Sequence, residues 1–332
     1  MFEWEARYNY LSLLNQILSI TREANDTYHI RGSFGDVYMQ LGIIKEKFLI
    51  ELNLNNDYKI CVLIAQKYTK LVASAFNYSN QVKCIFIEDL LANEILDKIN
   101  LIGKIDKFPL RLLPTIYPYI PELIYAGKLL QIDFMKFVVG VKSQGPLFSL
   151  EDDLSRKEAH SYLVENNISI GNTVLISADT NTNIEFPIYI WEKIITFINK
   201  LGWNVCINDS GNLHNSKSNL ITNNNLKFLK IPPHLPVSIS ELMGAYIAGS
   251  NGFMTILSLF GENVKGVHLI NALNSSNGHI KDKFGNLVPV EILYANNSCQ
   301  GSIRNQQLEI PIFYEKDLEF VEKSINDLLL GV

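Results

Sequence analysis

The sequence lacks several features that mark whole classes of function. Its 332 residues include only four cysteines, Cys61, Cys84, Cys206 and Cys299, far apart and without a CxxC pair. That spacing excludes a disulfide framework or a cysteine-zinc site, and the expectation is four buried thiols in a reducing compartment. No run of Lys or Arg appears, and 29 basic against 34 acidic residues leave a net charge of −5. A protein held mainly by nucleic-acid phosphates is thereby excluded. The six histidines show no ligand spacing with one another, so no metal is expected. Long apolar runs are missing too. A bilayer helix needs about 20 such residues, and the most apolar window, 245–261, is broken by Gly249-Ser250-Asn251-Gly252. The start, Met1-Phe2-Glu3-Trp4-Glu5, has neither the basic nor the apolar segment of an export signal. A soluble cytoplasmic protein without an integral membrane segment is expected.

What is present is the composition of a folded chain with a large core: 47% hydrophobic and 19% charged residues. At roughly 150 residues per domain, the length suggests two domains. Strand-like and helix-like segments alternate from end to end, which implies parallel strands joined by crossover helices. In the first half, residues 5–22 read as an amphipathic helix. Residues 28–30, 59–65 and 83–87 read as strands, and 37–47 and a stretch ending near Ala75 as helices. Residues 109–121 carry four prolines among apolar and tyrosine residues, which excludes regular helix. They read as an irregular packed segment, with a wall of an acceptor cleft as the functional alternative. A boundary is expected between Gly140 and Asp153. Beyond it, strands are expected at 172–177, 203–207, 246–249 and 264–270. Helices are expected at 155–165, 187–201, 238–246, 253–260 and 317–330, the third opened by a capping box, Ser238…Glu241. Asp152-Asp153 reads as a helix start rather than a cation site.

Three turns have the right place for chemistry, because ligands of open parallel sheets gather at the carboxyl ends of strands. The first is Gly32-Ser33-Phe34-Gly35-Asp36, between a strand and a helix. It is not GxGxxG, so a dinucleotide fingerprint is absent. On spacing alone Asp36 reads as a helix N-cap, with an anion-binding turn as the alternative. The second is Gly249–Gly252, where small residues let phosphates approach backbone N–H groups. The third is the polar stretch 177–185 after a buried strand.

Arg31-Gly-Ser-Phe-Gly-Asp-Val37 resembles the Gly-Asp-Val/Ile segment near the start of bacterial heptosyltransferases, glycosyltransferase family 9. Residues 174–180, then Phe186-Pro187 and Trp191, resemble that family's strand, polar loop, Trp-Pro and helix-borne Trp. Residues 231–242 resemble its short approach helix. Ser250-Asn-Gly-Phe-Met-Thr255 stands where it has Asp-Ser/Thr-Gly-x-x-His. The resemblance implies the GT-B fold, two Rossmann-like domains facing a central cleft. The acceptor domain is then 1–145, the nucleotide-sugar domain 150–312, and 313–332 a closing helix packing back toward the first domain. It implies an inverting, metal-independent transfer with no cofactor, from a nucleotide-sugar donor to a glycan or lipid-linked acceptor in surface-glycan assembly. Peripheral contact with the inner membrane face goes with that setting. Asp36 is then the general base, Gly32, Ser33, Phe34 and Gly35 its acceptor-side loop. Thr180, Ser250, Asn251, Gly252, Thr255 and His234 line the donor site.

There are departures from the pattern. Ser250 and Thr255 replace the family's Asp and His, and Ile184 and Glu185 stand where a basic residue precedes Trp-Pro. Lys281 or Lys283 offers a substitute cation, though surface lysine is the commoner role. Two rivals follow: a catalytically silent GT-B accessory subunit, and a Rossmann oxidoreductase. The second is disfavoured because residues 59–65 lead into Gln66-Lys67 rather than an acidic ribose-binding residue.

Overall fold

The structure, a computed structural model, describes residues 15, 19, 23–30, 32, 34–77, 79–87, 110–112, 136, 139–142, 147–178, 186–209, 226–249, 251–261, 263–271, 279–281, 287–289, 307–312 and 317–331. The expected helix at 5–22 and most of the proline-rich segment lie outside them. The chain forms two compact units. One comprises Met1–Thr115, Met135–Ser143 and Phe148–Leu150; the other comprises Ile116–Phe134, Gln144–Leu147 and Glu151–Val332.

The first unit is built on a four-stranded sheet. In chain order its elements are β1 (Asp26–His29), α1 (Phe34–Leu54), β2 (Ile60–Ala65), a 3-10 turn (Gln66–Tyr68), α2 (Thr69–Ala75), β3 (Val82–Ile87) and β4 (Leu110–Leu112). The strand order is β3-β2-β1-β4, and every pairing is parallel. β2 is an unbroken apolar run, Ile-Cys-Val-Leu-Ile-Ala, as expected of a parallel strand covered on both faces. Each fully buried Ile or Leu here is worth about 1.5–3 kcal/mol in area removed from water. α1 is longer than its periodicity predicts. It is buried nearly all round from Gly35 to Phe48, so no single apolar stripe marks its ends. Polar groups pin the start of β1. The buried Asp26 carboxylate accepts hydrogen bonds from Tyr28 Oη at 3.3 Å and from Tyr58 Oη. Burial, and then that carboxylate, hold the Tyr58 phenol far above its ordinary pKa.

Lys136 and residues 148–150 close this unit. Lys136 Nζ lies 2.9 Å from Glu46 Oε2, with both side chains buried. One residue earlier on α1, Lys45 Nζ donates to Ser149 O at 2.6 Å. Ser74 Oγ on α2 donates to Leu150 O at 2.9 Å.

The second unit contains α3 (Asp153–Glu165), β5 (Thr173–Ser177), α4 (Ile188–Lys200), β6 (Asn204–Asn208), β7 (Lys227–Leu229), α5 (Pro236–Met243), β8 (Gly244–Gly249), α6 (Gly252–Phe260), β9 (Lys265–Asn271), the antiparallel pair β10 (His279–Lys281) and β11 (Leu287–Pro289), β12 (Gln307–Ile312) and α7 (Asp317–Leu330). Its six-stranded sheet runs β12-β9-β8-β5-β6-β7, again with parallel pairing throughout. Alternate residues of the strands, among them Val174, Ile176, Val205, Ile207, Val267 and Leu269, face one core. Trp191, Ile194, Ile195 and Ile198 of α4 enter that core, as their spacing predicts. So do Leu318, Val321, Ile325 and Leu329 of α7. α7 thus buries its apolar stripe in the core of the second unit. Gly266 on β9 sits opposite Tyr246 on β8, where an added Cβ would lie 2.2 Å from the ring. The space left by hydrogen lets Tyr246 Oη reach the buried His268 Nε2.

Helix caps bring one agreement and one correction. Asp152 caps α3, accepting from Ser155 N at 2.8 Å and Ser155 Oγ at 2.9 Å, so the acidic pair is a helix start. The expected box at Ser238 does not cap α5. That helix begins at Pro236, and the carboxylate of Glu151 accepts from Val237 N at 2.8 Å and Ser238 N at 2.7 Å. α5 also ends earlier than expected. Gly244 takes φ +114°, with no room for a side chain because an added Cβ would lie 3.1 Å from Gly171 O, and it releases the chain into β8 two residues before the predicted strand start.

Candidate active site

In the first unit the chain places β2 and β3 on one side of β1 and β4 on the other. The carboxyl end of β1 is therefore a topological switch point, where neighbouring loops part and leave a crevice. The Gly32–Asp36 turn stands there. Ile30 N still bonds to Leu63 O at 2.9 Å, Gly32 turns the chain with φ +121°, and α1 opens at Phe34. Asp36 is the third residue of α1, inside its first turn, so it is not the N-cap that spacing alone suggested. A carboxylate there is favoured by the helix dipole. Its main chain is held by Gln40, whose Nε2 donates to Asp36 O at 3.0 Å. Its side chain lies against Gly32: a Cβ on that glycine would come within 2.8 Å of both Asp36 Cβ and Oδ2.

The residues expected to line this loop divide. Phe34 packs edge-on to Tyr38 at 5.3 Å and stacks on Tyr68 at 6.4 Å, so it anchors the turn. Gly35 is buried. Ser33 lies outside the described residues.

The second sheet has its own switch point. From β5 the chain runs outward to β6 and β7, then returns to add β8 on the other side of β5. The carboxyl ends of β5 and β8, at Ser177 and Gly249, flank this point, and α6 starts from it at Gly252. Asn251 is the N-cap, with Oδ1 accepting from Met254 N at 2.9 Å. Its Nδ2 donates to Ser177 O at 3.1 Å and Ser177 Oγ at 3.2 Å. Ser177 Oγ also receives Asn208 Nδ2 at 3.3 Å. The Trp191 indole supports the turn from below, 3.8 Å from a Cβ position on Gly249. Gly252 and Phe253 provide first-turn amides, which an α-helix leaves without intrahelical acceptors.

This geometry changes the reading of several expected donor-site residues. Thr255 Oγ1 donates to Asn251 O at 3.3 Å, so that hydroxyl is spent within its own helix. The Asn251 side chain is spent on the cap and on Ser177. His234 Nε2 lies 3.1 Å from Glu158 Oε1, a pairing with α3. Thr180, Ser250 and Ile184 lie outside the described residues, as does Lys283; Lys281 lies on β10. Ser177 opens the third candidate stretch, 177–185; Asn208 was not singled out from sequence, and its only signal is a polar residue ending an apolar strand.

Among the described residues no group of three or more His, Cys, Asp and Glu is placed to hold a metal. None of the described helices is long and apolar enough to cross a membrane. Cys61 and Cys206 are buried, and burial pushes both thiols up to about 12. Cys84, expected buried, is partly exposed on β3, yet desolvation raises it to about 12 as well. Cys299 lies outside the described residues.

No protein-family model matches the sequence, and no curated protein matches it. Solved structures do match, and they define the class: the chain has the GT-B fold of glycosyltransferases, as expected. It is similar to a family 9 glycosyltransferase from Veillonella parvula, with a TM-score of 0.59 and 12% identity over 93% of this chain and 99% of that one. It is similar also to the E. coli ADP-heptose lipopolysaccharide heptosyltransferase II, with a TM-score of 0.60 and 12% identity over 92% and 99%. A third likeness is to the E. coli heptosyltransferase WaaC solved with ADP, with a TM-score of 0.54 and 8% identity over 90% and 99%.

Proposed function

We propose that the protein is an inverting, metal-independent glycosyltransferase, moving a sugar from a nucleotide-sugar donor to a hydroxyl of a surface-glycan acceptor. The observation that carries the reading is the likeness to heptosyltransferase structures along nine-tenths of the chain, with a carboxylate at the β1 switch point. Asp36 takes the acceptor's hydroxyl proton as that oxygen attacks the anomeric carbon. The bond from that carbon to the donor phosphate breaks on the opposite face, and the nucleoside diphosphate leaves with the electron pair. First-turn amides of α6 oppose the charge that develops on it. The WaaC structures with ADP and with ADP-2-deoxy-2-fluoro heptose support an ADP-sugar as the first donor to test.

A second reading, a GT-B subunit that binds without turnover, is favoured by one observation. The Thr255 hydroxyl is committed to Asn251 O, at the position where the resembled family carries a His. One experiment separates the two. Thermal unfolding is followed with ADP, UDP, GDP, CMP and TDP, and transfer is then assayed with the sugar nucleotide of whichever binds. A ligand at 100 times its Kd stabilises the native state by about 2.7 kcal/mol, a readily measured rise in Tm. Transfer by the wild type and its loss in Asp36→Asn support the enzyme. Binding without transfer supports the silent subunit, and no rise with any nucleotide overturns both.

A further inference from the structure

Three polar side chains meet where β5, β6 and β8 end. Ser177 closes β5, Asn208 closes β6, and Asn251 follows β8. Ser177 is 3% exposed, and its Oγ receives an amide N–H from each asparagine. A hydroxyl has two acceptor positions, and both are filled. The Asn251 amide works in two directions at once. Its oxygen caps α6, while its nitrogen holds both the hydroxyl and the carbonyl of Ser177. The Ser or Thr of the resembled family can supply the cap. A short hydroxyl with one proton cannot also make the two bonds across to β5. In a water-poor site such bonds are strong when made and costly when broken.

We infer that Asn251 is a positioning residue for nucleotide-sugar binding. It fixes the first-turn amides of α6 relative to the carboxyl end of β5, with Ser177 as the hub and Asn208 as a brace. It touches no substrate itself. This rests on reading the β5/β8 switch point as the donor site. A ligand spanning both strand ends depends on their spacing, whereas a cap lost elsewhere in the fold leaves that spacing unchanged. Stability and nucleotide affinity therefore separate in suitable variants.

The test measures nucleotide Kd by calorimetry, and Tm, for the wild type, Asn251→Ser, Ser177→Ala, the double variant and Asp152→Ala. The nucleotide is the one that raises Tm most among ADP, UDP, GDP, CMP and TDP. Asn251→Ser keeps the cap but loses the bonds to Ser177, so its Tm falls, and it binds roughly fivefold to tenfold more weakly, the equivalent of about one net hydrogen bond. The double variant is no weaker than the worse single one, because both break the same contact. Asp152→Ala loses a cap elsewhere, lowers Tm and leaves Kd unchanged. An Asn251→Ser protein with the wild-type Kd overturns this inference and leaves the proposed function standing. A wild type that binds no nucleotide overturns the reading beneath it.

Discussion

Replacing Gly32 by alanine tests the candidate base without touching it. Two costs are built into the position. The φ of +121° belongs to a region that only glycine enters freely, and an L side chain there costs about 1–3 kcal/mol. The new methyl would also lie 2.8 Å from Asp36 Cβ and Oδ2 and 3.1 Å from Cγ. Carbon atoms in ordinary contact sit about 3.5–4.0 Å apart, so the carboxylate has to move by roughly 1 Å. A misplacement of that size in a reacting group costs about 100-fold in rate. Gly202 is the control. Its φ is +81°, and nothing lies within 4 Å of its Cβ position, so Gly202→Ala carries backbone strain without the clash. Both variants should unfold at lower temperature, followed by circular dichroism. Only Gly32→Ala should also lose about two orders of magnitude in kcat, with nucleotide affinity unchanged. Wild-type kcat in a folded Gly32→Ala would refute the assignment of Asp36.

Two further predictions concern stability. Lys136→Met alone leaves Glu46 buried without its ammonium partner and should cost about 3–5 kcal/mol in urea unfolding. The double variant with Glu46→Leu should recover most of that loss, and simple additivity would contradict the pairing. At Asp152, burial favours the neutral acid, but hydrogen bonds from Ser155 outweigh it and hold the carboxyl below its ordinary pKa. A depressed folded pKa gives stability that is present above the unfolded value and is lost as pH falls through the folded one. Asp152→Ala should therefore cost about 0.5–2 kcal/mol near pH 7, with the gap to the wild type closing below about pH 4. A gap independent of pH would rule out the ionised cap.

Legibility from the sequence tracked how local each signal was. β5, α4 and α7 were readable because one buried face repeats along each of them. α1 was cut short in the reading because a helix buried on nearly all sides has no polar face to set its register. The α5 cap was misplaced for a different reason: Ser238 and Glu241 have the local spacing, but the acceptor comes from Glu151, 86 residues before Val237. The two candidate turns were found because glycine and small polar residues between strand and helix mark them. What their side chains bond to was not readable. The Thr255 hydroxyl is spent on a carbonyl four residues back in its own helix, but the pairing of Asn251 with Ser177 depends on parallel β5–β8 pairing, which local sequence does not encode.

The closure of the first unit by Lys136 and residues 148–150 has a consequence for synthesis. A chain emerging from the ribosome delivers β1, α1, β2 and β3 long before Lys136 exists. Until then Glu46 lacks the Lys136 ammonium, and Lys45 and Ser74 lack the carbonyls of Ser149 and Leu150. After β3 ends at Ile87, about 50 further residues must be added before Lys136 is made, a few seconds at ordinary elongation rates. The unit's parallel strands remain unsealed for that interval, the period in which a holding chaperone has most to protect.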